Sequence, residues 1–561
     1  MKGAGPVHLE QGKRFDRQIT DRFVNILDKL SASPRVSNLV YAFGLIFFFA
    51  LVLLPPIFGI ALKLDKVEEV FRDPVLLARS WSAISWSFIL AFIVSILDLA
   101  LGIPLTWLIV RSNPRWGSIV DTLADIPFII PTVALGFSTL LFWGPEGVAS
   151  LFLGRALLAP GLALVMLLHF AFSLPVVVRV MVGELSGYRE TFEIAARTLG
   201  AEPFTAVRTV TLPILRPALV ASFLLSFARS LSETGATIIV AGSFENGPAL
   251  IKNSKDAGLE GPLSFVSFIL IAGSIIAFIL IKYLGPRLKL PVSKVWPETE
   301  RKLSRSSAIL ARDSVSLLVF ILVVIAPSLF IALPSFHAVF DGTLKEALSG
   351  EGVWSTYWQS LMLSYVIGII VTAVNILTGM PMAVLIARRR LGKAATSVID
   401  GLVNIPIVVP SVALGVSLGS FWRTFGVLPE FLVLTISHLT ITYTYFVRAM
   451  SAAIESIPTY MEETARTLGA RPLTIFRRII LPLTKYSLFA GAILTFTRSV
   501  DETGAATAVA TRLKTAPVLL VDWVKGTVAV SRSTQSLGVG ILVAISFIGL
   551  LALRLVTRKR R

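Results

Sequence analysis

Long apolar runs alternate with short polar segments along almost the whole chain. A helix needs about 20 mostly apolar residues to cross a bilayer. Runs of that kind predict spans near residues 39–62, 87–110, 125–143, 157–182, 214–241 and 265–284. A second series falls near 315–333, 361–387, 404–422, 431–450, 483–510 and 537–555. The expectation is an all-α polytopic membrane protein with about 12 transmembrane helices, because a helix satisfies its own backbone in lipid. The third and ninth runs are rich in Pro and Gly and are the weakest as straight helices.

The polar segments repeat. Residues 193–213 read EIAARTLGAEPFTAVRTVTLP and residues 462–482 read EETARTLGARPLTIFRRIILP, an offset of 462 − 193 = 269. A repeat this long sets the architecture. Asp125-Ile126-Pro127 with Pro131-Thr132 answers Asn404-Ile405-Pro406 with Pro410-Ser411, and Gly102-Ile103-Pro104 answers Gly379-Met380-Pro381. Arg229-Ser230-Leu231-Ser232-Glu233-Thr234-Gly235 answers Arg498-Ser499-Val500-Asp501-Glu502-Thr503-Gly504. Six spans is an even number, so the two units run parallel. The expected organisation is a cytosolic tail (1–38), a first unit (39–285), a cytosolic linker (286–312) and a second unit (313–561).

Composition agrees with a lipid environment. Apolar residues make up 55% and charged residues 15%, with a mean hydropathy of +0.79. Soluble chains carry about 25% charged residues. The net charge of +18 raises nucleic-acid binding as a reading, but the basic residues cluster beside apolar runs: Lys13, Arg14 and Arg17; Arg388, Arg389 and Arg390; Arg477 and Arg478; Arg558 to Arg561. That is the distribution of cytoplasmic loops, so no nucleic-acid partner is expected and both termini are assigned to the cytoplasm. The polar N-terminal stretch is not expected to be a secretory signal. The chain has no cysteine, which excludes disulfides, thiolate metal sites and Cys nucleophiles.

The repeated loop reads as a short helix, a turn and a second short helix. Glu193 to Leu199 favours helix, Gly200 can take the left-handed stop, and Pro203 suits the first turn of the next helix. Ala206, Val207, Val210 and Leu212 form an apolar stripe before Pro213. Glu462 to Leu468, Gly469, Pro472 and Pro482 repeat the plan. On physics alone this is a rigid knob for a partner's groove or an interfacial hairpin. The order of Glu, small residues, Gly and a fixed distance to Leu-Pro resembles the EAA loop of ABC importer permeases, twice at corresponding places. The resemblance covers most of both halves and implies the type I importer permease fold. It implies that the loops dock two copies of a cytosolic ABC ATPase through Glu193, Ala195, Ala196 and Gly200, and through Glu462, Ala465 and Gly469. An external solute-binding protein is implied as a further partner, with segments 248–263 and 512–535 helping to receive it. Glu463 and Thr464 stand where the first copy has Ile194 and Ala195, so the two docking sites need not be equally strong.

No G-x-x-x-x-G-K-[ST] phosphate loop occurs, so ATP and its magnesium are expected on the partner ATPases and no cofactor on this chain. The chain is therefore expected to be no enzyme. Ionisable residues at membrane depth are functional candidates by default. His169 and His438, Glu233 and Glu502, and Asp501 are the candidates for the translocation path or its gate. For the histidines the alternative is a hydrogen bond between helices, and for the glutamates an ion pair with Arg229 or Arg498 one turn earlier. Asp98 and Asn375 are expected to join helices. The pattern His169…Pro175…Arg179 resembles fused ferric-iron and thiamine permeases, which makes those cargoes the favoured reading. The Glu-Thr-Gly-Ala stretches resemble molybdate or sulfate permeases, so an oxyanion is the alternative, ahead of polyamine or phosphonate. An ion-coupled secondary transporter is the rival from another class. It leaves the duplicated loop without a purpose. A membrane-embedded enzyme is the other, and four histidines in all supply little for one.

Overall fold

Prolines shape the helices of this protein. The structure is a computed structural model, which describes residues 28–112, 114–145, 147–148, 158–287, 296–426 and 428–557. The basic residues Lys13, Arg14, Arg17 and Arg558 to Arg561 lie outside the described residues, as do His8 and linker residues 288–295. In the first half the long helices are α1 (Pro34–Ala61), α2 (Pro74–Arg111), α3 (Thr132–Trp143), α4 (Leu162–Gly187), α5 (Arg216–Ser232) and α6 (Glu260–Leu284). In the second they are α7 (Ser306–Phe340), α8 (Val353–Ala387), α9 (Ser411–Thr424), α10 (Glu430–Glu455), α11 (Leu481–Val500) and α12 (Arg532–Thr557). Among the described residues there is no strand, and the protein is an all-α polytopic membrane protein.

Eight helices are long and apolar enough to cross a membrane among the described residues, and three bent pairs bring the number to eleven. The twelfth expected span is α10, 26 residues long but studded with Thr435, Ser437, His438, Thr440, Thr442 and Thr444. All six are buried, so these polar groups face protein and the helix does not need a lipid-compatible surface. The third and ninth spans are not straight. The helix before α3 meets it at 107°, and its repeat meets α9 at 103°. Ile130 and Val409, each just before a proline, are extended because the proline ring excludes helical geometry there. The fifth and eleventh runs also divide: α5 ends at Ser232 and α11 at Val500, and short helices Gly235–Val240 and Gly504–Val509 follow.

Four wide helical turns each precede a proline: Phe48–Leu53, Val207–Thr211, Phe320–Ile325 and Phe476–Ile480. Without an N–H, proline cannot close the usual bond, and the helix opens locally. The carbonyls near these prolines are used elsewhere. Ser417 Oγ donates to Pro56 O, and Ser138 Oγ donates to Pro327 O. These bonds cross between the halves, because α1 packs on α8, α9 and α10, while α7 packs on α2, α3 and α4. Each first helix therefore completes the opposite half.

Candidate functional site

The two helix breaks meet each other. A Cβ built on Gly235 would lie 2.6 Å from Thr503 Cγ2, and one on Gly504 would lie 3.0 Å from Thr234 Oγ1. A side chain on either glycine would press on the facing threonine. Behind each break a carboxylate takes up a free helix N–H. Glu233 Oε1 accepts from Ala236 N at 3.2 Å, and Glu502 Oε1 from Ala505 N at 2.9 Å. Glu233 Oε2 lies 3.5 Å from Arg229, and Glu502 Oε2 lies 2.7 Å from Arg498. The pseudo-twofold fails one residue earlier. Asp501 accepts from the α3 backbone at Thr132 N, 2.7 Å away, whereas its repeat equivalent Ser232 offers only a carbonyl to Ser411 Oγ at 3.5 Å.

A cavity of about 890 Å³ lies between the halves, on the loop side of these breaks. Ser232 and Asp501 line its closed end, while Pro217 at the start of α5 and Lys282 near the end of α6 line it toward the loops. Most of its wall is apolar, with Arg229, Arg498, Arg448 and Lys282 as cations and Asp400 and Asp501 as anions. Asp501, one of the candidates read from the sequence, lies on this lining. His169, His438, Glu233 and Glu502 are not on its lining but lie beside the two helix breaks. His169 is fully buried, with Nδ1 2.8 Å from Ser230 Oγ and Nε2 2.8 Å from Thr237 Oγ1, so it ties α4 to both sides of the break. His438 Nδ1 lies 2.9 Å from Ser499 O. The two glutamates are occupied by the arginine and the helix cap, as their ion-pair alternative states. Arg229 and Arg498, expected as the partners of these glutamates, also form part of the wall.

Other intramembrane polar residues join helices. Asp98 accepts from Ser173 and Ser226, both at 2.5 Å, and Asn375 Nδ2 donates to Thr442 Oγ1 at 2.9 Å. Arg179 pairs with Asp121 at 2.8 Å and Asp125 at 2.6 Å, and Arg448 with Asp400 at 2.5 Å, so both fasten a long helix to the bent segment beside it.

The repeated loops lie at the end toward which the cavity extends. Helix Thr191–Thr198 stops at Gly200 (φ 91°), and Thr459–Thr467 stops at Gly469 (φ 82°). The turns push apolar side chains into the open: Leu199 is 89% exposed and Leu468 83%. Ala195 and Gly200 are exposed, Ala196 and Ala465 half-buried. Glu462 differs. It is buried and held by Arg388 at 2.7 Å, so it anchors the loop to the end of α8. Glu193 is half-buried and faces Thr211 Oγ1 at 3.4 Å.

Each loop is also stapled from behind. Glu300 of helix Pro297–Leu303, just before α7, pairs with Arg208 at 2.7 Å and accepts from Thr205 Oγ1 at 2.6 Å. Phe204 N donates to Ser304 Oγ at 3.1 Å. Just before α1, Asp28 accepts from Thr474 N at 2.9 Å and Ser31 Oγ from Leu473 N at 3.2 Å. The opposite end of the bundle is fastened differently. Lys255 donates to Thr507 O and to Ala510 O, and Glu430 accepts from the backbone of Thr511, Arg512 and Leu513. Burial pulls the Lys255 amine down to about 8, so it carries its charge at neutral pH.

The family described as binding-protein-dependent transport system inner membrane component matches residues 98–290 and 376–561, once in each half. The chain is 32% identical over 200 residues to the sulfate transport system permease protein CysT of Salmonella typhimurium, covering 35% of this chain and 72% of that protein. It is 33% identical over 194 residues to the molybdenum transport system permease protein ModB of Mycobacterium tuberculosis, covering 34% of this chain and 71% of that protein. To ModB of Haemophilus influenzae it is 30% identical over 220 residues, covering 37% of this chain and 94% of that protein.

Proposed function

The chain belongs to the family of binding-protein-dependent transport system inner membrane components, and from that premise we propose that it is the fused permease of an ATP-driven importer. The observation that carries the reading is the pair of glycine-turned knobs, each presenting an exposed leucine at the end toward which the cavity extends. Such knobs fit grooves on two cytosolic ATPases. ATP binding would swing the loops, part the Gly235 and Gly504 seal, and turn the cavity toward the opposite side. A solute-binding protein would deliver cargo there. In this reading the loops and both termini face the cytoplasm, and the cavity is the inward-facing state. The chemistry of ATP belongs to the partners.

For cargo we propose a small oxyanion such as sulfate or molybdate. Support comes from the names of the sulfate and molybdenum relatives, and from a cavity wall with four cations against two anions. The iron or thiamine reading rested on the two-in-one layout and on the pattern of His169, Pro175 and Arg179. His169 and Arg179 are committed to other side chains and Pro175 is buried, so the motif builds scaffold and says little about cargo.

The test is co-purification with a cytosolic P-loop ATPase co-expressed with the permease. Replacing both Leu199 and Leu468 by Asp should weaken association by about tenfold or more, the scale of losing a central interface anchor. Membrane insertion should survive. Unchanged association of the double variant would sink the docking reading.

A further inference from the structure

Arg229 and Arg498 occupy equivalent repeat positions and both line the cavity, yet they are not equivalent chemically. Arg498 is committed, with Nη2 2.7 Å from Glu502 Oε2. Arg229 comes no closer than 3.5 Å to Glu233. Among the described residues its guanidinium makes no shorter polar contact, and it lies 5.1 Å from the centre of the Phe172 ring. A guanidinium carries five donors in a rigid fork, and one loose ion pair leaves most of them unspent. Stacking on an aromatic face holds that fork in place without using its N–H groups. The side chain is 20% exposed, one turn short of the seal.

We propose that Arg229 is the transient contact for a divalent tetrahedral oxyanion crossing the cavity, and that Arg498 is not. This rests on the oxyanion reading above. A space of about 890 Å³ is too large to select a small anion by shape, so charge and hydrogen bonding must do it. Guanidinium meets an oxyanion with two parallel N–H bonds. A single such contact suits a path, since a site that releases cargo must not bind it tightly. Asp501 on the lining already accepts from Thr132 N at 2.7 Å and offers an oxyanion no guanidinium-like fork of donors, which leaves Arg229 as the attractive wall at this end. Arg448 is neutralised by Asp400 at 2.5 Å, which leaves Lys282, toward the loops, as the other cation with no carboxylate partner among the described residues.

The experiment uses the permease reconstituted in liposomes with its ATPase and binding protein, and reads sulfate and molybdate taken up per ATP hydrolysed. Arg229→Gln should lower that ratio by about tenfold or more, the size of a lost charge-assisted contact. Arg229→Lys, which keeps the charge, should recover part of it. Arg498→Gln should instead lower the melting temperature, with a ratio near that of the parent in the assembled fraction. A ratio within about twofold of the parent for Arg229→Gln, or equal losses for the two Gln variants, would overturn the assignment. If Arg229→Gln does not assemble, Arg229→Lys decides: a raised half-saturation for sulfate supports the contact, and an unchanged one refutes it. A parent protein that takes up neither anion removes the oxyanion reading itself, and the Arg229 assignment with it.

Discussion

A Cβ on Gly235 would sit 2.6 Å from Thr503 Cγ2, 2.8 Å from Thr503 Cβ and 2.9 Å from Thr503 Oγ1. All three atoms belong to the facing break, so the seal between the halves is limited at this contact by a single hydrogen. Gly235→Ala should push the breaks apart and let solute leak through liposomes without ATP. Thr503→Gly removes all three clashing atoms and should restore tightness in the double variant. A single Ala variant as tight as the parent would show that the breaks do not form the seal. The same scale explains which candidates moved. A buried polar side chain must find partners, and the repeat spacing told that His169, Glu233, His438 and Glu502 lie deep. It could not tell that other helices supply the partners of the two histidines, or that all four side chains lie off the cavity wall.

At the scale of the elements, the loops are held by segments outside them. Glu300 and Arg208 are both nearly buried, and removing one member of a buried pair costs about 3–5 kcal/mol by precedent. Glu300→Gln should therefore free the loop at Pro203–Ala206, raising hydrogen exchange there and lowering uptake per ATP while docking persists. Exchange unchanged from the parent would mean that the staple holds nothing. The loops themselves were legible in sequence, because glycine, proline and apolar stripe punctuate them locally. The staples were not, since Glu300 lies 92 residues from Arg208 and nothing local marks them as partners. An asymmetry between the copies has a local cause. The segment Pro203–Ile214 meets α5 at 75°, next to Pro217, whereas Pro472–Val500 runs on without a break and has Tyr486 at the matching position.

Across the whole molecule, the halves are interleaved. Because α1 packs on the second unit and α7 on the first, a chain split within residues 288–295 and co-expressed should reassemble, and neither piece should be stable alone. Two fragments that fold separately and fail to associate in co-purification would refute the interleaving. The sequence by itself determined that the protein is helical, membrane-embedded and duplicated, and where its repeated loops lie, because hydropathy, charge bias and helix punctuation act over a few residues at a time. Only the tertiary structure decided that α10 needs no lipid-compatible face, that the proline-rich spans bend by more than 100°, and that Arg229 rather than His169 or Glu233 looks into the cavity. Those features depend on which surfaces meet across hundreds of residues, and burial against a distant helix leaves no periodic trace in the segment being buried.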